Sequence, residues 1–421
     1  MRIYPFRAVR PRACLAEKVA ALPFDVMTTE EARQMAAGNP YSFLRADRAE
    51  INLPPGADPY APEVYALAKS TLDGWLREGA LLQDDAPCLY LYRQIRQGPG
   101  EVPRTQLGLV SLVSVDDYLQ GAIKRHELTR PEKERDRTCH IDVTSAHTGP
   151  IFLAYRERGD ILAELESFAA MQLPMYDFTT EDGVRQTCWR VSDPATLAKW
   201  VGLFDTLPAF YIADGHHRNA SAANVAKLRR QEHPDYTGEE EFNRYLAVLF
   251  PAQHLTILGY HRLVKGLHGL TPGEFLAKLE DSFIVTPADE PVQPCDKHIF
   301  GLYLAGRWVQ LRLKPGLVPS ASGGPVGRLD ASLLQNLVLA PILAIGDPQN
   351  DPRLDFVGGI RGLAALEQPV DAGEADAAFS LFPTAMEDLM AVADAGLTMP
   401  PKSTWFEPKL RSGLFVHPFE P

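Results

Sequence analysis

The sequence predicts an α+β fold, and a mixed-sheet α/β arrangement is the alternative. Two observations lead to this class. Strand-like and helix-like segments alternate irregularly along the 421 residues, and several pairs of strand-like segments are joined by short polar turns. No internal repeat is evident in the sequence. A chain of this length exceeds what one hydrophobic core usually serves, so we expect more than one domain.

Capping residues mark where several helices begin. The capping box Thr28-x-x-Glu31 predicts a helix that stops at Gly38. Asp193 and Thr271, each followed by proline, predict two further helix starts. The segment "PEVYALAKSTLDGWLREGALL" repeats apolar residues at helical spacing and predicts a longer helix.

Three segments predict β-hairpins. "CLYLYRQI" and "QLGLVSLV" have strand character and flank the Gly/Pro-containing loop "RQGPGEVPRT". "MYDFTTEDGVRQTCWRV" and "HIFGLYLAGRWVQLRL" each place a short turn between two strand-like runs. These hairpins favour a sheet with antiparallel pairs over a purely parallel one.

Composition and charge exclude several classes of protein. A formal charge of −12 argues against nucleic-acid binding, which needs a net basic surface, but a local pocket could still bind a small anionic metabolite. The five scattered cysteines indicate reduced thiols. No signal peptide and no membrane-spanning apolar run are evident, so we expect a cytoplasmic protein with no membrane partner. A homo-oligomer is compatible with the sequence.

The segment "FYIADGHHRNASAANVAKLRR" predicts a buried strand, a sharp turn at Gly215 and a long helix. His216, His217 and Arg218 would occupy the first helical turn, where unpaired N–H groups and the helix dipole favour an anion. Asp214 would bind Mg²⁺ or orient His217.

Two alternatives remain for this segment. In the first, Asp214 only caps the helix and the histidines are solvated. In the second, the histidines bind zinc, but adjacent residues point apart on a helix, unlike the two histidines of H-E-x-x-H. We therefore do not expect zinc here.

A second polar segment, "IKRHELTRPEKERDR", carries an excess of positive charge in an acidic protein. Its first half could contact a phosphate or a substrate carboxylate through Arg125, His126, Thr129 and Arg130. The second half, residues 132–137, is typical of a solvated helix that begins at Pro131 and is crossed by (i, i+4) ion pairs.

Several blocks identify the chain as resembling a large bacterial family of unknown function. They are "PFDVMTTEEAR", "HELTRPEKERDR", "HTGPIFL", "IADGHHR" and "MPPKSTWFEPKLRSGLF". The block "IADGHHR" is also similar to the phosphate-binding signature of the ParB/sulfiredoxin-like superfamily, and within it to the ADP-dependent free-serine kinases. His216 stands where sulfiredoxin-like motifs hold the reactive cysteine, so sulfinic acid reduction is not expected.

The resemblance implies a ParB/sulfiredoxin-like core and a division into three regions. Residues 131–268 would form the phosphate-binding region. Residues 1–130 would form an N-terminal α+β region that contributes to the active site, and residues 269–421 a C-terminal α+β region.

The resemblance also implies an activity. The expected function is nucleotide-dependent phosphoryl transfer, with Mg²⁺ and ADP or ATP, to a small hydroxy-amino acid, with serine and O-phosphoserine as the best candidates. Asp25 or Glu127 would act as general base. Lys402, and with it Lys409, would reach the phosphate from a C-terminal loop. The alternatives are a nucleotide-binding regulatory module and a His-dependent phosphohydrolase.

Overall fold

The computed structural model describes residues 1–97, 103–320 and 323–420. The chain forms two compact units. The first contains Met1–Lys124, Thr129–Leu255 and a C-terminal segment that begins at Pro408, and the second contains Arg125–Leu128 and Thr256–Glu407. Strands from both the predicted 1–130 and 131–268 regions belong to one sheet of the first unit.

The described residues form α-helices and short 3-10 turns. In chain order they are α1 (Ala16–Val19), α2 (Thr29–Met35), α3 (Leu44–Asp47), α4 (Pro62–Arg77), α5 (Val115–Leu119), α6 (Pro131–Thr144), α7 (Gly159–Met171), α8 (Pro194–Asp205), α9 (His216–Glu232), α10 (Pro272–Leu279), α11 (Gly324–Gly327), α12 (Asp330–Leu334), α13 (Ala364–Asp371) and α14 (Met386–Asp394). None of these described helices is long and apolar enough to cross a membrane.

The strands lie in two larger sheets and three two-stranded pairs within the described residues. They are β1 (Ile3–Tyr4), β2 (Val9–Pro11), β3 (Leu81–Gln83), β4 (Leu89–Arg96), β5 (Arg104–Ser114), β6 (Ile123–Lys124), β7 (Ala146–His147), β8 (Ile151–Tyr155), β9 (Tyr176–Thr179), β10 (Arg185–Val191), β11 (Phe210–Asp214), β12 (Arg244–Pro251), β13 (Thr256–Leu258), β14 (Tyr260–Val264), β15 (Phe283–Ala288), β16 (Ile299–Leu304), β17 (Arg307–Leu313), β18 (Leu354–Gly358), β19 (Ala377–Leu381), β20 (Trp405–Glu407) and β21 (His417–Pro418).

The first unit is built on a mixed sheet. Its strand order among the described residues is β6-β11-β8-β12-β5-β4-β10-β9, with β1 added beside β5. The pairs β6–β11 and β8–β12 are parallel, and the other pairs are antiparallel. The predicted α+β class with a mixed sheet is therefore confirmed.

Packing against this sheet fixes the position of α9. Ala222, Ala223 and Ala226 of α9 belong to the same buried apolar cluster as the strand residues Phe210 and Ile212. Alanine side chains let the helix backbone approach the sheet closely, so the start of α9 is held firmly at the end of β11.

The second unit is built on an antiparallel sheet of order β15-β17-β16-β19-β14-β18. Phe275 of α10, Phe300 of β16 and Phe379 of β19 lie in its buried core. The predicted hairpin in this unit is confirmed, since β16 and β17 are antiparallel neighbours joined at Ala305 and Gly306, both with positive φ.

Local signals in the sequence correspond well to the observed elements. Both capping boxes are present, at Thr28 before α2 and at Thr271 before α10, and Asp193 caps α8. The predicted hairpins β4–β5 and β9–β10 are also observed. Residues 98–102 of the loop predicted between β4 and β5 lie outside the described residues.

The prediction of a solvated helix over residues 132–137 is confirmed for Glu132, Lys133 and Arg135, which are exposed, and is wrong for Asp136 and Arg137. Helix α6 begins at Pro131 as expected, but Asp136 and Arg137 are buried. Arg137 Nε donates to Asp136 Oδ2 at 2.9 Å, and the Tyr65 hydroxyl of α4 donates to Asp136 Oδ1 at 3.0 Å. The Arg137 guanidinium also lies over the ring of Phe24, 4.1 Å from its centroid. A buried charge needs such partners, so these side chains hold α6 in the first unit.

Candidate functional site

The site is built around the end of β11. This strand lies between β6 and β8, and its last residue is Asp214. Gly215 follows with φ 92°, a left-handed conformation that glycine adopts without steric cost, and α9 begins at His216. The Gly215 N–H donates to Asp214 Oδ1 at 2.8 Å. The predicted strand, turn and helix are confirmed, and His216, His217 and Arg218 form the first helical turn.

Helix α6 lies beside α9 and runs in the same direction. The Arg130 N–H donates to His217 Nε2 at 3.0 Å, Ser221 Oγ donates to the Glu134 carbonyl at 3.0 Å, and Arg229 Nη2 donates to the Asp142 carbonyl at 2.9 Å. Each pair is separated by 87 residues, as two parallel helices in constant register require.

The amino ends of the two helices therefore lie side by side. Arg130 is the N-cap of α6, and its bond to His217 joins the two first turns directly. Each helix end carries about half a positive charge, and the first N–H groups of a helix have no carbonyl partner within the helix itself. Two such ends together favour an anion more strongly than one.

Arg218 lies beside the start of β8. Its Nη1 donates to the Pro150 carbonyl at 2.6 Å. A Cβ placed on Gly149 would lie 3.4 Å from Arg218 Nη1 and 3.1 Å from Ser412 Oγ, so glycine makes room for both groups. Arg218 Nε is buried and has no hydrogen-bond partner among the described residues.

Asn219 follows Arg218 and is 0 % exposed. Neither its amide nitrogen nor its amide oxygen has a hydrogen-bond partner within the described part of the chain. Buried polar groups are nearly always hydrogen-bonded. Two consecutive residues of the first turn of α9, Arg218 and Asn219, therefore carry buried polar atoms without a hydrogen-bond partner in the described part of the chain.

A small cavity lies beside Arg218. It measures about 20 Å³, and its lining includes Phe24, Asp47, Thr148 and Gly149. The Thr148 hydroxyl donates to Asp47 Oδ1 at 2.6 Å, which fixes the turn before β8. This volume accommodates about one water molecule, so the cavity positions Arg218 and does not hold a metabolite.

Lys409 completes the cationic side of the site. Its Nζ lies 2.7 Å from Asp214 Oδ2, and the two side chains are 10 % and 27 % exposed. Burial raises the pKa of Asp214, but the charges of Lys409 and Arg218 outweigh this effect, and the net pKa lies below its usual range. Asp214 is therefore ionised at neutral pH and holds Lys409 in place.

A row of buried glutamines positions the backbone of Lys409. Gln106 Nε2 donates to Gln94 Oε1 at 2.7 Å, and Gln94 Nε2 donates to Gln186 Oε1 at 3.0 Å, so the row crosses β5, β4 and β10. Gln94 also donates to the Lys409 carbonyl at 2.9 Å, and Gln106 to the Pro408 carbonyl at 3.2 Å. These bonds tie the C-terminal segment to the sheet.

Two further candidate residues of the first unit are Asp25 and Thr129. Asp25 is exposed in the 3-10 turn Phe24–Val26, whose Phe24 lines the cavity beside Arg218. The Thr129 hydroxyl donates to the Glu134 carboxylate at the start of α6. The structure thus gathers Asp214, Gly215, His216, His217, Arg218, Thr129 and Arg130 at the paired helix ends.

Other candidate residues belong to the second unit. Arg125, His126 and Glu127 form part of the short stretch assigned to it, where the His126 carbonyl accepts the Met399 N–H at 2.8 Å. Lys402 has a left-handed φ of 56°, and its Nζ lies 5.7 Å from the centroid of the Tyr260 ring.

The partner of Asp214 was not evident from the sequence. Of the two lysines predicted to reach the phosphate, Lys402 and Lys409, it is Lys409 that pairs with Asp214. Asp214 and Lys409 are 195 residues apart in the chain. The glutamine row that places Lys409 has no recognisable sequence motif. Thr148 and Gly149, which lie in the block "HTGPIFL", line the same cavity as Arg218.

The chain belongs to the family described as "Protein of unknown function (DUF1015)", whose profile matches residues 3–332. This confirms the family resemblance of the sequence blocks. No curated protein matches the chain.

Solved structures share a distant likeness with the chain. A conserved hypothetical protein from Pyrococcus furiosus has 13% identity and a TM-score of 0.35, covering 73% of this chain and 95% of its own. A free serine kinase in complex with AMP has 12% identity and a TM-score of 0.37, with coverages of 73% and 91%. C-terminally truncated SbnI from Staphylococcus aureus has 12% identity and a TM-score of 0.39, with coverages of 73% and 87%. At these scores the likeness carries no argument about the activity of this chain.

Proposed function

We propose that the first unit binds the phosphate groups of a nucleotide at the amino ends of α6 and α9 and transfers a phosphoryl group to a small hydroxy-amino acid, with serine as the first candidate. The observation that carries the proposal is the arrangement around Arg218. A buried guanidinium N–H without a partner, two adjacent helix ends and a positioned lysine converge on one place. Phosphoryl transfer mainly requires positioning and neutralisation of negative charge, which these groups supply.

Each group has a distinct role in this proposal. The first-turn N–H groups of α9 would bind phosphate oxygens, and the Arg218 guanidinium would neutralise the charge of the same phosphate. Lys409 would neutralise charge as it develops on the transferred group, while Asp214 keeps the ammonium in position. A hydrogen bond to a charged group contributes about 1.5–3 kcal/mol, against about 0.3–1 kcal/mol for one exposed helix dipole, so the side chains would dominate affinity.

Mg²⁺ would accompany the nucleotide, and Asp214 is the carboxylate suited to it. The lowered pKa keeps Asp214 ionised, and 27 % of its side chain is exposed although both oxygens already accept hydrogen bonds. Mg²⁺ commonly uses one or two carboxylates and takes its other ligands from phosphates and water. When bound, the ion would supply further neutralisation of the phosphates.

The general base would be a carboxylate other than Asp214, whose low pKa makes it a poor proton acceptor. The substrate hydroxyl oxygen would form a bond to phosphorus as the bond to the departing nucleotide breaks. The hydroxyl proton would pass to Asp25, which is exposed next to Phe24.

A nucleotide-binding module without turnover is the second candidate, since the same helix ends would bind phosphate equally well. A phosphohydrolase that uses His217 as nucleophile is less favoured, because His217 Nε2 already accepts the Arg130 N–H. With Nε2 as acceptor, the neutral ring carries its proton on Nδ1.

A turnover assay tests the proposed function. Wild-type protein is incubated with Mg²⁺, ADP or ATP, and serine, and O-phosphoserine is measured by phosphorus NMR. We expect product from the wild type and a loss of turnover of about a hundredfold in Asp25→Asn, with unchanged nucleotide affinity. Asp281→Asn, an exposed aspartate of the second unit, is the matched control.

The possible outcomes separate the candidates. Full turnover in Asp25→Asn would show that Asp25 is not the general base. Nucleotide binding without transfer to any hydroxy-amino acid would overturn the kinase proposal and favour the regulatory module.

A further inference from the structure

Two histidines join the C-terminal segment to the rest of the first unit. His147 of β7 and His417 of β21 lie directly opposite each other in an antiparallel strand pair. Their rings are stacked, with centroids 5.6 Å apart and planes 19° apart. Beside them the Phe419 N–H donates to the Ser145 carbonyl at 2.8 Å. The histidine pair, His147 and His417, is therefore the side-chain contact between these two strands.

Both rings of the histidine pair are enclosed. His147 is 5 % exposed and His417 is 2 % exposed. The Phe419 ring packs against both, and Tyr245 and Phe6 pack against one ring each. His147 Nε2 and His417 Nδ1 are buried and have no hydrogen-bond partner among the described residues. A proton on either nitrogen would be a buried donor without an acceptor, which is costly.

The charges around the histidine pair come from several elements. Glu241 Oε2 lies 2.7 Å from His417 Nε2, and Arg244 of β12 is the nearest cation that affects this ring. The other charged or titratable groups that line a cavity together with one of the two rings are Asp47, Arg137, His140 and Arg218 for His147, and Arg7, Arg229, His233, Glu239, Glu240 and Glu420 for His417.

Glutamates other than Glu241 are already engaged. Glu239 pairs with Arg244, and Glu240 accepts the N–H groups of Thr237 and Gly238. Within the described residues, Glu241 is therefore the carboxylate that hydrogen-bonds to the histidine pair. One carboxylate balances one imidazolium at most, so the two stacked rings cannot both carry a charge without strong repulsion.

Protonation is thus disfavoured while the strands are paired. Burial lowers the pKa of His147, and the neighbouring His417 lowers it further, whereas a hydrogen bond with the Arg244 backbone opposes this. Burial also lowers the pKa of His417, although Glu241 opposes the effect. A solvated histidine has a pKa of about 6.5. The separated strands therefore bind more protons below about pH 6.5, so their pairing is most stable above that pH and weakens as the pH falls through it.

We propose that the histidine pair is an acid-sensitive contact that holds the C-terminal segment on the first unit and releases it in mildly acidic solution. The release is local, because it separates β21 from β7 and leaves the central strands of the sheet in place. The C-terminal segment also carries Lys409, so under the proposed function, on which this consequence rests, release removes a cation from the phosphate site and weakens nucleotide binding.

Hydrogen exchange of the Phe419 amide, followed by NMR, tests the proposal. The exchange rate is divided into that of the unfolded chain at the same pH, which gives a protection factor. It is measured at about pH 7.5 and about pH 5.5, on either side of the ordinary histidine pKa of about 6.5. One histidine that is protonated only after release lowers the protection factor about tenfold over this interval, and two lower it up to about a hundredfold.

Replacing both rings removes the acid sensitivity. In the double variant His147→Phe with His417→Phe, aromatic rings still pack between the strands but do not titrate, so the protection factor of Phe419 should fall less than about threefold. His233→Phe, which replaces an exposed histidine, is the matched control and should retain the wild-type fall. The Val248 amide of β12 should keep its protection in every protein, because the release is local.

Three results would overturn the proposal. They are constant protection of Phe419 in the wild type, an equal fall in the double variant, and an equal fall at Val248, which would indicate global unfolding. If the double variant does not fold, His147→Phe alone must show a smaller fall than the wild type. ADP affinity at the acidic pH is measured in the same samples. Release of the segment with equal ADP affinity in wild type and variant would support the acid-sensitive contact and contradict the proposed role of Lys409.

Discussion

The two units each hold an arginine against backbone carbonyls, and they use it differently. Arg262 of β14 in the second unit is 3 % exposed. Its guanidinium donates to the carbonyls of Tyr260 at 2.8 Å, Lys402 at 3.1 Å and Pro401 at 3.2 Å, and it lies over the Phe356 ring. Burial without a carboxylate partner lowers the pKa of Arg262 to about 10.

Arg218 in the first unit makes one such bond, to Pro150, and its buried Nε remains unpartnered among the described residues. The side chain is only partly buried and stands at the end of a helix instead of inside a sheet. Arg262 thus makes several hydrogen bonds to backbone carbonyls, whereas Arg218 makes one. In the proposed function Arg262 is a structural cation and Arg218 is the cation that binds phosphate.

Replacing the structural arginine gives the larger effect on stability. Arg262→Met leaves three carbonyls without their donor, at a cost only partly offset by relief of the buried charge, so the free energy of unfolding should fall by on the order of 2 kcal/mol. Chemical denaturation of Arg262→Met and of the wild type measures this difference in the free energy of unfolding.

The control for this prediction is ligand binding by the same variant. ADP affinity should stay at the wild-type value, because Arg262 belongs to the second unit. Unchanged stability in Arg262→Met would break the comparison, since the arginine would then not be structural.

Replacing Lys409 gives a smaller effect, and one on binding. Lys409→Met removes one cation from the phosphate site, so ADP affinity should fall about tenfold, as expected for one lost charged hydrogen bond. The pKa of Asp214 should rise, because its main cationic partner is lost. Calorimetry measures the first effect, and NMR titration of the aspartate measures the second.

Lys402→Met is the matched control for Lys409→Met. Lys402 lies in the same C-terminal block of sequence but belongs to the second unit and contacts Tyr260. Equal losses of ADP affinity in both variants would show that Lys409 has no special position.

Features encoded by neighbouring residues could be predicted from the sequence. The turn at Gly215 and the helix start at His216 follow from a strand, a glycine and small residues in immediate succession. Capping boxes at Thr28 and Thr271 are equally local. For this reason the motif at the end of β11 and most helix boundaries were correct.

Features that depend on distant pairings could not be predicted. The alternating charges of α6 are typical of a solvated helix, yet Asp136 is buried because Tyr65, 71 residues away, hydrogen-bonds to it. The Asp214–Lys409 pair depends on buried glutamines of three strands that become neighbours only in the folded sheet. No spacing rule in one sequence identifies such partners.

The most direct measurement is the affinity of Arg218→Met for ADP, determined by isothermal titration calorimetry beside the wild type and the exposed-arginine control Arg312→Met. We expect Arg218→Met to bind ADP about a hundredfold more weakly while its free energy of unfolding stays within about 1 kcal/mol of the wild type, since it loses one protein hydrogen bond. Wild-type affinity for ADP in Arg218→Met would contradict the claim that the ends of α6 and α9 form a phosphate site.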